Sequence, residues 1–298
     1  DGAGSVVREA FWETDGFEDS TELLSHGYKE LLLPAAPDGG YPIEANALHI
    51  GPRGSLMLLA LANVGGRFTG TLFLPMEGPE GFNGLTTPEQ VETLFGAQFP
   101  DAIPLIPDLR DEFFANPTGL LGTVRCGPWH YRDRALLIGD AAHAIVPFFG
   151  QGMNSGFEDC RVLDDLLDRF GDDAWDRVLP EFTRVRKPDT DAIAAMAIDN
   201  FEEMRDRVGD PRFLLRKAVE HRLEDAAPHE YRSRYSLVMY SHVPFDLCRK
   251  AGVIQQELLD ELCLGLDAPD DLDLDHALRR VRERFAPFLA EHGISLDY

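Results

Sequence analysis

Near Gly152 the hydrophobic pattern changes period, and this change restricts the possible folds more than any other feature. Before it, residues 27–75 hold short apolar or alternating runs, YKELLLP, ALHI, SLMLLALA and RFTGTLFLP, separated by Pro, Gly and Asn. Alternation covers one face of a pleated strand, so the region is predicted as an antiparallel sheet. Thr87 can cap a helix over residues 87–99, with Pro88 in its first turn and Gln90 completing a capping box. Two further strands are expected near residues 121–126 and 135–138. After Gly152, Phe157, Cys160, Leu163, Leu166, Leu167 and Phe170 recur at helical spacing. Pro188, Pro211, Pro228 and Pro244 are expected to divide the remainder into helices. An acidic stretch over residues 267–275 then precedes a last amphipathic helix ending near His292. The fold class is mixed, α+β / α/β.

Fifty-two acidic against 28 basic residues give a net charge of −24, a field that repels phosphate backbones and anionic lipid. Nucleic acid is not an expected partner, and on charge alone the surface need only be solubilising. The four cysteines, Cys126, Cys160, Cys248 and Cys263, form no C-x-x-C pair, which argues against a zinc site and a disulfide scaffold. No membrane-spanning run or export signal is read, so a soluble, cytoplasmic protein is expected. The chain starts without Met, in what reads as the middle of a domain, and is expected to be a fragment or processed form.

Chemistry concentrates in residues 134–160, RALLIGDAAHAIVPFFGQGMNSGFEDC: a strand, an acidic residue at its end, a Pro/Gly-rich loop, then a helix. Asp140 stands where an open α/β sheet usually binds ligands, and its carboxylate suits a polyol hydroxyl. Gly150 and Gly152 remove side chains where a planar ring could approach the backbone. The helix starting near Met153 aims unpaired N–H groups and a positive dipole end into the loop, which suits an anionic ring. On pattern alone an ordinary βα connection explains the stretch equally well. His143 suggests a base, but a loop-fixing hydrogen bond is the preferred reading. Asp164, Asp165 and Asp168 alternate with Leu and read as a solvated helix face rather than a metal cluster. Arg222, Arg232 and Arg234 form a loose basic patch that offsets neighbouring acids.

The words of this stretch carry more than its pattern. GDAAHAIVPFFGQGMNSGFEDC resembles the GD motif of the flavoprotein aromatic hydroxylases and is similar throughout to the kynurenine 3-monooxygenase family. DGAGSVVR resembles the DG fingerprint of the same hydroxylases, and HGYKELLLP, ALHIGPRGSLMLLALAN, FTGTLFLP and FPDAIPLI extend the likeness to about Phe245. The resemblance implies a partial Rossmann-like FAD-binding part over residues 1–26 and 119–187. It also implies a substrate-domain sheet over 27–118 and a helical region over 188–298. Asp140 would then hold the FAD ribityl chain, with Pro147, Gly150, Gly152, Met153 and Asn154 around the flavin ring. Asn200 in AIDNFEEMR, sharing a helical face with Glu203 and Met204, and Tyr235 would bind the amino acid end of the substrate. Phe148, Leu48 and Ile50 would wall its aromatic ring, Leu48 and Ile50 from one side of a strand. Without the resemblance, these residues read as a helix-surface Asn, a core-edge Tyr and core aliphatics.

The implied reaction is 3-hydroxylation of L-kynurenine to 3-hydroxykynurenine, with FAD as cofactor and NADPH and O2 as co-substrates. No side chain is expected to act as an acid, base or nucleophile, and no metal is needed. The sequence holds no G-x-G-x-x-G, so the βαβ unit that grips the ADP half of FAD is expected on a separate N-terminal segment. Alone, the chain is expected to bind FAD poorly and to be inactive. Two rivals stand: a related FAD hydroxylase of another aromatic acid, and a non-catalytic remnant or half of a split protein.

Overall fold

The computed structural model describes residues 1–207 and 210–297. In chain order, a short helix α1 (Val6–Phe11) precedes four strands, β1 (Glu18–Leu33), β2 (His49–Arg53), β3 (Leu56–Ala62) and β4 (Phe68–Pro75). Helices α2 (Pro88–Gln98) and α3 (Leu109–Ala115) follow, then β5 (Gly119–Gly127), β6 (His130–Tyr131) and β7 (Ala135–Leu136). The rest is helical: α4 (Asp140–His143), α5 (Gly152–Phe170), α6 (Trp175–Glu202), α7 (Pro211–Ala226), α8 (Arg234–Tyr240), α9 (Phe245–Leu262), α10 (Leu274–Arg284) and α11 (Ala286–Glu291).

Two compact units result. One comprises residues 22–122 with 203–206 and contains most of a five-stranded sheet in the order β2-β3-β4-β1-β5. The predicted antiparallel pairing is present: Leu31 faces Gly70, Leu33 faces Phe68, and Leu58 faces Leu72. Leu31, Leu33, Phe68, Leu72 and Leu74 form one buried cluster with Val91 and Phe95 of α2, Phe99 just after it, and Leu109 and Phe113 of α3. Each such side chain stabilises by roughly 1.5–3 kcal/mol on burial. The capping box forms as expected, the Thr87 hydroxyl accepting from Gln90 N–H and the Gln90 side chain accepting from Thr87 N–H. Lys29 is buried here, donating to Asn116 O with its ammonium 5.0 Å from the Phe113 ring centroid.

The other unit takes residues 1–21, 123–202 and the chain from Arg207 onward. Phe11, Trp129, Leu137, Ala142, Leu166, Val178 and Phe182 form one of its cores. Trp129 satisfies its indole N–H on Cys126 O at 2.9 Å, so a large ring is buried without a polar penalty. Helix α6 packs against both α5 and α9.

Several expectations need correction. Strand β1 starts at Glu18, not near residue 27, because its polar first half pairs without burying an apolar face. The units divide at 21/22 and 122/123, where boundaries at 26/27 and 118/119 were expected. Pro188 does not end a helix: it lies inside α6 together with Pro180, so the boundary expected at 187/188 falls within one continuous helix. The strand expected over 135–138 is two residues long, and the last helix is two helices, Pro287 near the start of α11 lacking the N–H that would continue α10. Among the described residues no helix is long and apolar enough to cross a membrane.

Candidate functional site

The site is built on the turn leaving β7. Leu137 N–H donates to Trp129 O at 2.7 Å, and the chain then reverses at Gly139, whose φ of 57° and ψ of −145° a side chain would strain. The turn sends Asp140 to the surface while Ala141, Ala142 and His143 pack inward. Among the described residues no group bonds to the Asp140 carboxylate, which leaves it available to a ligand. Residues 147–149 form a 3-10 turn closed by Gly150 at φ 63°, and α5 begins at Gly152 with no side-chain cap. The N–H groups of Gly152, Met153 and Asn154 therefore meet no protein acceptor among the described residues. Met153 is 71% exposed above them, and the Asn154 side chain donates to Gln151 Oε1 at 2.9 Å. A Cβ placed on Gly139 or Gly150 would meet nothing within 4 Å, so the space over both glycines is open. An outward carboxylate, open glycines and unpaired N–H groups at a dipole-positive helix end fit a planar heterocycle carrying a polyol chain, such as FAD.

Beneath the loop lies a polar cluster that sequence reasoning missed. Asp159, fully buried on α5, accepts at Oδ2 from Gly139 N–H (2.8 Å) and His143 Nε2 (2.6 Å), and at Oδ1 from Arg186 Nε (2.9 Å). Burial pushes its carboxyl pKa up, but the bond and charge of His143, the Gly139 N–H and the Arg186 charge outweigh this and hold it below its ordinary value. Arg186 also donates to Ser155 O (3.2 Å) and lies 3.4 Å from Asp189, whose other oxygen accepts from Asp246 N–H at the start of α9. A signal was present: Ser155, Asp159 and Leu166 fall on the buried side of α5, where a lone Asp needs partners. Arg8 was likewise missed. Its guanidinium donates to Ala3 O and Ala141 O, joining the DGAGSVVR segment to the turn that carries Asp140. The loop-fixing bond preferred for His143 is present.

Of the substrate-side candidates, Phe148, Asn200 and Tyr235 gather on the 147–149 turn. Asn200 Nδ2 donates to Phe148 O at 2.7 Å, the Phe148 ring stacks on Phe201 with centroids 4.5 Å apart, and Tyr235 stacks on Phe149 at 5.9 Å. Partial burial and the neighbouring Tyr240 raise the Tyr235 pKa. Glu203 and Met204 follow Asn200 in the chain beyond the end of α6 at Glu202, in a π-helical turn that groups with the other unit. Leu48 and Ile50 belong to the other unit, 50% and 42% exposed, and β2 begins only at His49, so Leu48 lies just outside the strand expected to hold both. Asp164, Asp165 and Asp168 are exposed, with Asp165 paired to Arg161, while Arg222 meets Asp270 and Arg234 meets Asp199.

Comparison with known proteins agrees with this geometry. Residues 123–196 match the FAD binding domain family. The chain is 53% identical over 293 residues to a kynurenine 3-monooxygenase of Myxococcus xanthus, covering 98% of this chain and 63% of the relative. It is 46% identical to that of Dictyostelium discoideum, covering 90% and 60%. Among solved structures, 2-methyl-3-hydroxypyridine-5-carboxylic acid oxygenase matches with a TM-score of 0.56 at 21% identity over 72% of this chain and 56% of that one. Klebsiella pneumoniae HpxO complexed with FAD and uric acid matches at 0.55 and 17%, over 87% and 57%. Sequence and fold thus make the chain a member of the FAD-dependent aromatic hydroxylases. Within that class it belongs with the kynurenine 3-monooxygenases and spans less than two thirds of the length of the relatives it matches.

Proposed function

We propose that the chain is part of an FAD- and NADPH-dependent monooxygenase that converts L-kynurenine, O2, NADPH and a proton to 3-hydroxykynurenine, NADP+ and water. The observation that carries this reading is the 53% identity to a kynurenine 3-monooxygenase across 98% of the chain, residues 139–160 included. A segment with a glycine-rich dinucleotide loop, on the same or another chain, completes the FAD site, in a soluble cytoplasmic protein whose charge of −24 favours dispersion.

When bound, FAD supplies the electron transfer and oxygen activation. The Asp140 carboxylate would hold its polyol chain by accepting hydrogen bonds from hydroxyl groups, and the N–H groups of Gly152, Met153 and Asn154 would favour negative charge on its ring. Pro147, Gly150 and Phe148 offer the ring an apolar, water-poor flank. Asn200 and Tyr235 orient the amino acid end of kynurenine. No side chain is required to gain or lose a proton.

The test is steady-state NADPH oxidation by the intact protein with kynurenine and with other aromatic acids, quantifying hydroxylated product. Coupled formation of 3-hydroxykynurenine is expected. Coupled hydroxylation of another aromatic acid with kynurenine ignored would transfer the assignment to a related hydroxylase.

A further inference from the structure

We infer that Asp159 is a positioning residue that fixes the direction of the Asp140 carboxylate relative to the N-terminus of α5. The inference rests on the flavin reading of the site. It goes further by assigning a role to a buried network that touches neither cofactor nor substrate.

Asp159 Oδ2 accepts from Gly139 N–H and from His143 Nε2, the two residues that flank the Asp140-bearing turn on either side. One oxygen atom thus pins both ends of a turn whose first residue adopts a glycine-only conformation. A carboxylate cannot donate, so the bond also fixes the proton of His143 on Nε2. Asp159 lies two turns into α5, the helix that presents the unpaired N–H groups of Gly152, Met153 and Asn154. The same side chain therefore sets the two halves of the site, carboxylate and amide cluster, at one separation.

Arg186 completes the assembly from α6, bonding Asp159 Oδ1 and the Ser155 carbonyl in the first turn of α5. Buried ion pairs contribute little net stability compared with apolar packing, because desolvation offsets the attraction. What this pair provides is geometry: three donors, two from the turn and one from α6, converge on one carboxylate with no water access. A group serving only to hold the fold together would not need to bracket the single exposed carboxylate of the loop.

The experiment is a double-mutant cycle on FAD dissociation constants in the intact protein. Asp140→Ala should weaken binding about 10- to 150-fold, the loss of a charge-assisted hydrogen bond. If Asp159 acts through Asp140, Asp159→Asn should weaken binding at least about tenfold alone and add little to Asp140→Ala. Amide exchange over residues 139–143 should quicken in flavin-free Asp159→Asn while β3 and β4 stay protected. Should Asp159→Asn fail to fold, His143→Ala takes its place, with a smaller loss that is again non-additive with Asp140→Ala and is partly restored in His143→Gln. Losses that multiply in the double variant, or unchanged exchange over 139–143, overturn the inference while leaving the flavin reading intact. Unchanged FAD binding in Asp140→Ala overturns the flavin reading itself.

Discussion

Replacing Asn200 tests the substrate side of the site and the loop at once. Its Nδ2 donates to Phe148 O at 2.7 Å, and Phe148 is buried. Asn200→Leu keeps the volume and removes the donor. The lost bond is worth about 0.5–1.5 kcal/mol net, and leaving a poorly hydrated carbonyl without this donor raises the cost toward 1–3 kcal/mol. Thermal unfolding should fall by a few degrees, at roughly 2–4 °C per kcal/mol for a domain of this size. If the same side chain also orients the amino acid end of kynurenine, KM should rise about 5- to 150-fold. More hydrogen peroxide should form per NADPH, because a misplaced ring receives oxygen less often. Asn200→Asp should be worse on both counts, placing a negative oxygen against the Phe148 carbonyl and the substrate carboxylate. The assays are differential scanning fluorimetry, steady-state kinetics and peroxide release. A lowered melting point with unchanged KM and coupling would make Asn200 a clamp on the loop and remove it from the substrate site.

Two further outcomes follow from buried charges. Asp159 is held below its ordinary pKa of 3.8, so its stabilising contribution is complete above that value and is lost as pH falls through its lower folded value. Acid unfolding followed by circular dichroism should therefore be less steep below about pH 4 in Asp159→Asn than in the parent, and superimposable slopes would contradict this. Burial lowers the pKa of Lys29, and Lys29→Met should be neutral or stabilising by up to about 1–2 kcal/mol in urea unfolding. A loss above about 2 kcal/mol would mean that the contact with Asn116 O outweighs desolvation.

What could be read from the sequence was what depends on near neighbours. The strands of 27–75, the Thr87 capping box and the strand-Asp-loop-helix order over 135–170 all follow from local spacing and turn residues, and all are present. The Phe148, Asn200 and Tyr235 grouping came from family resemblance, since no periodicity links positions 52 and 87 residues from the first. Asp159, Arg186 and Arg8 escaped notice because a buried charge is defined by partners distant in sequence, here 133 residues away for Arg8 and Ala141. Pro188 misled because packing of α6 between α5 and α9 offsets the missing hydrogen bond that would break an exposed helix.

Helix α6 grips the site twice, through Arg186 at Ser155 and Asp159 of α5 and through Asn200 at Phe148 of the loop. The two residues are 14 apart, close to four turns, so both point to nearly the same side, about 21 Å apart along the axis. Inserting or deleting one residue between them would swing one grip by about 100° away from the site while leaving the helix itself intact. Related chains should therefore tolerate exchange of exposed residues along this segment yet keep its length fixed, with length variation displaced to the connections on either side. Pro188 within the same span makes that constancy a matter of counting residues rather than of helical propensity.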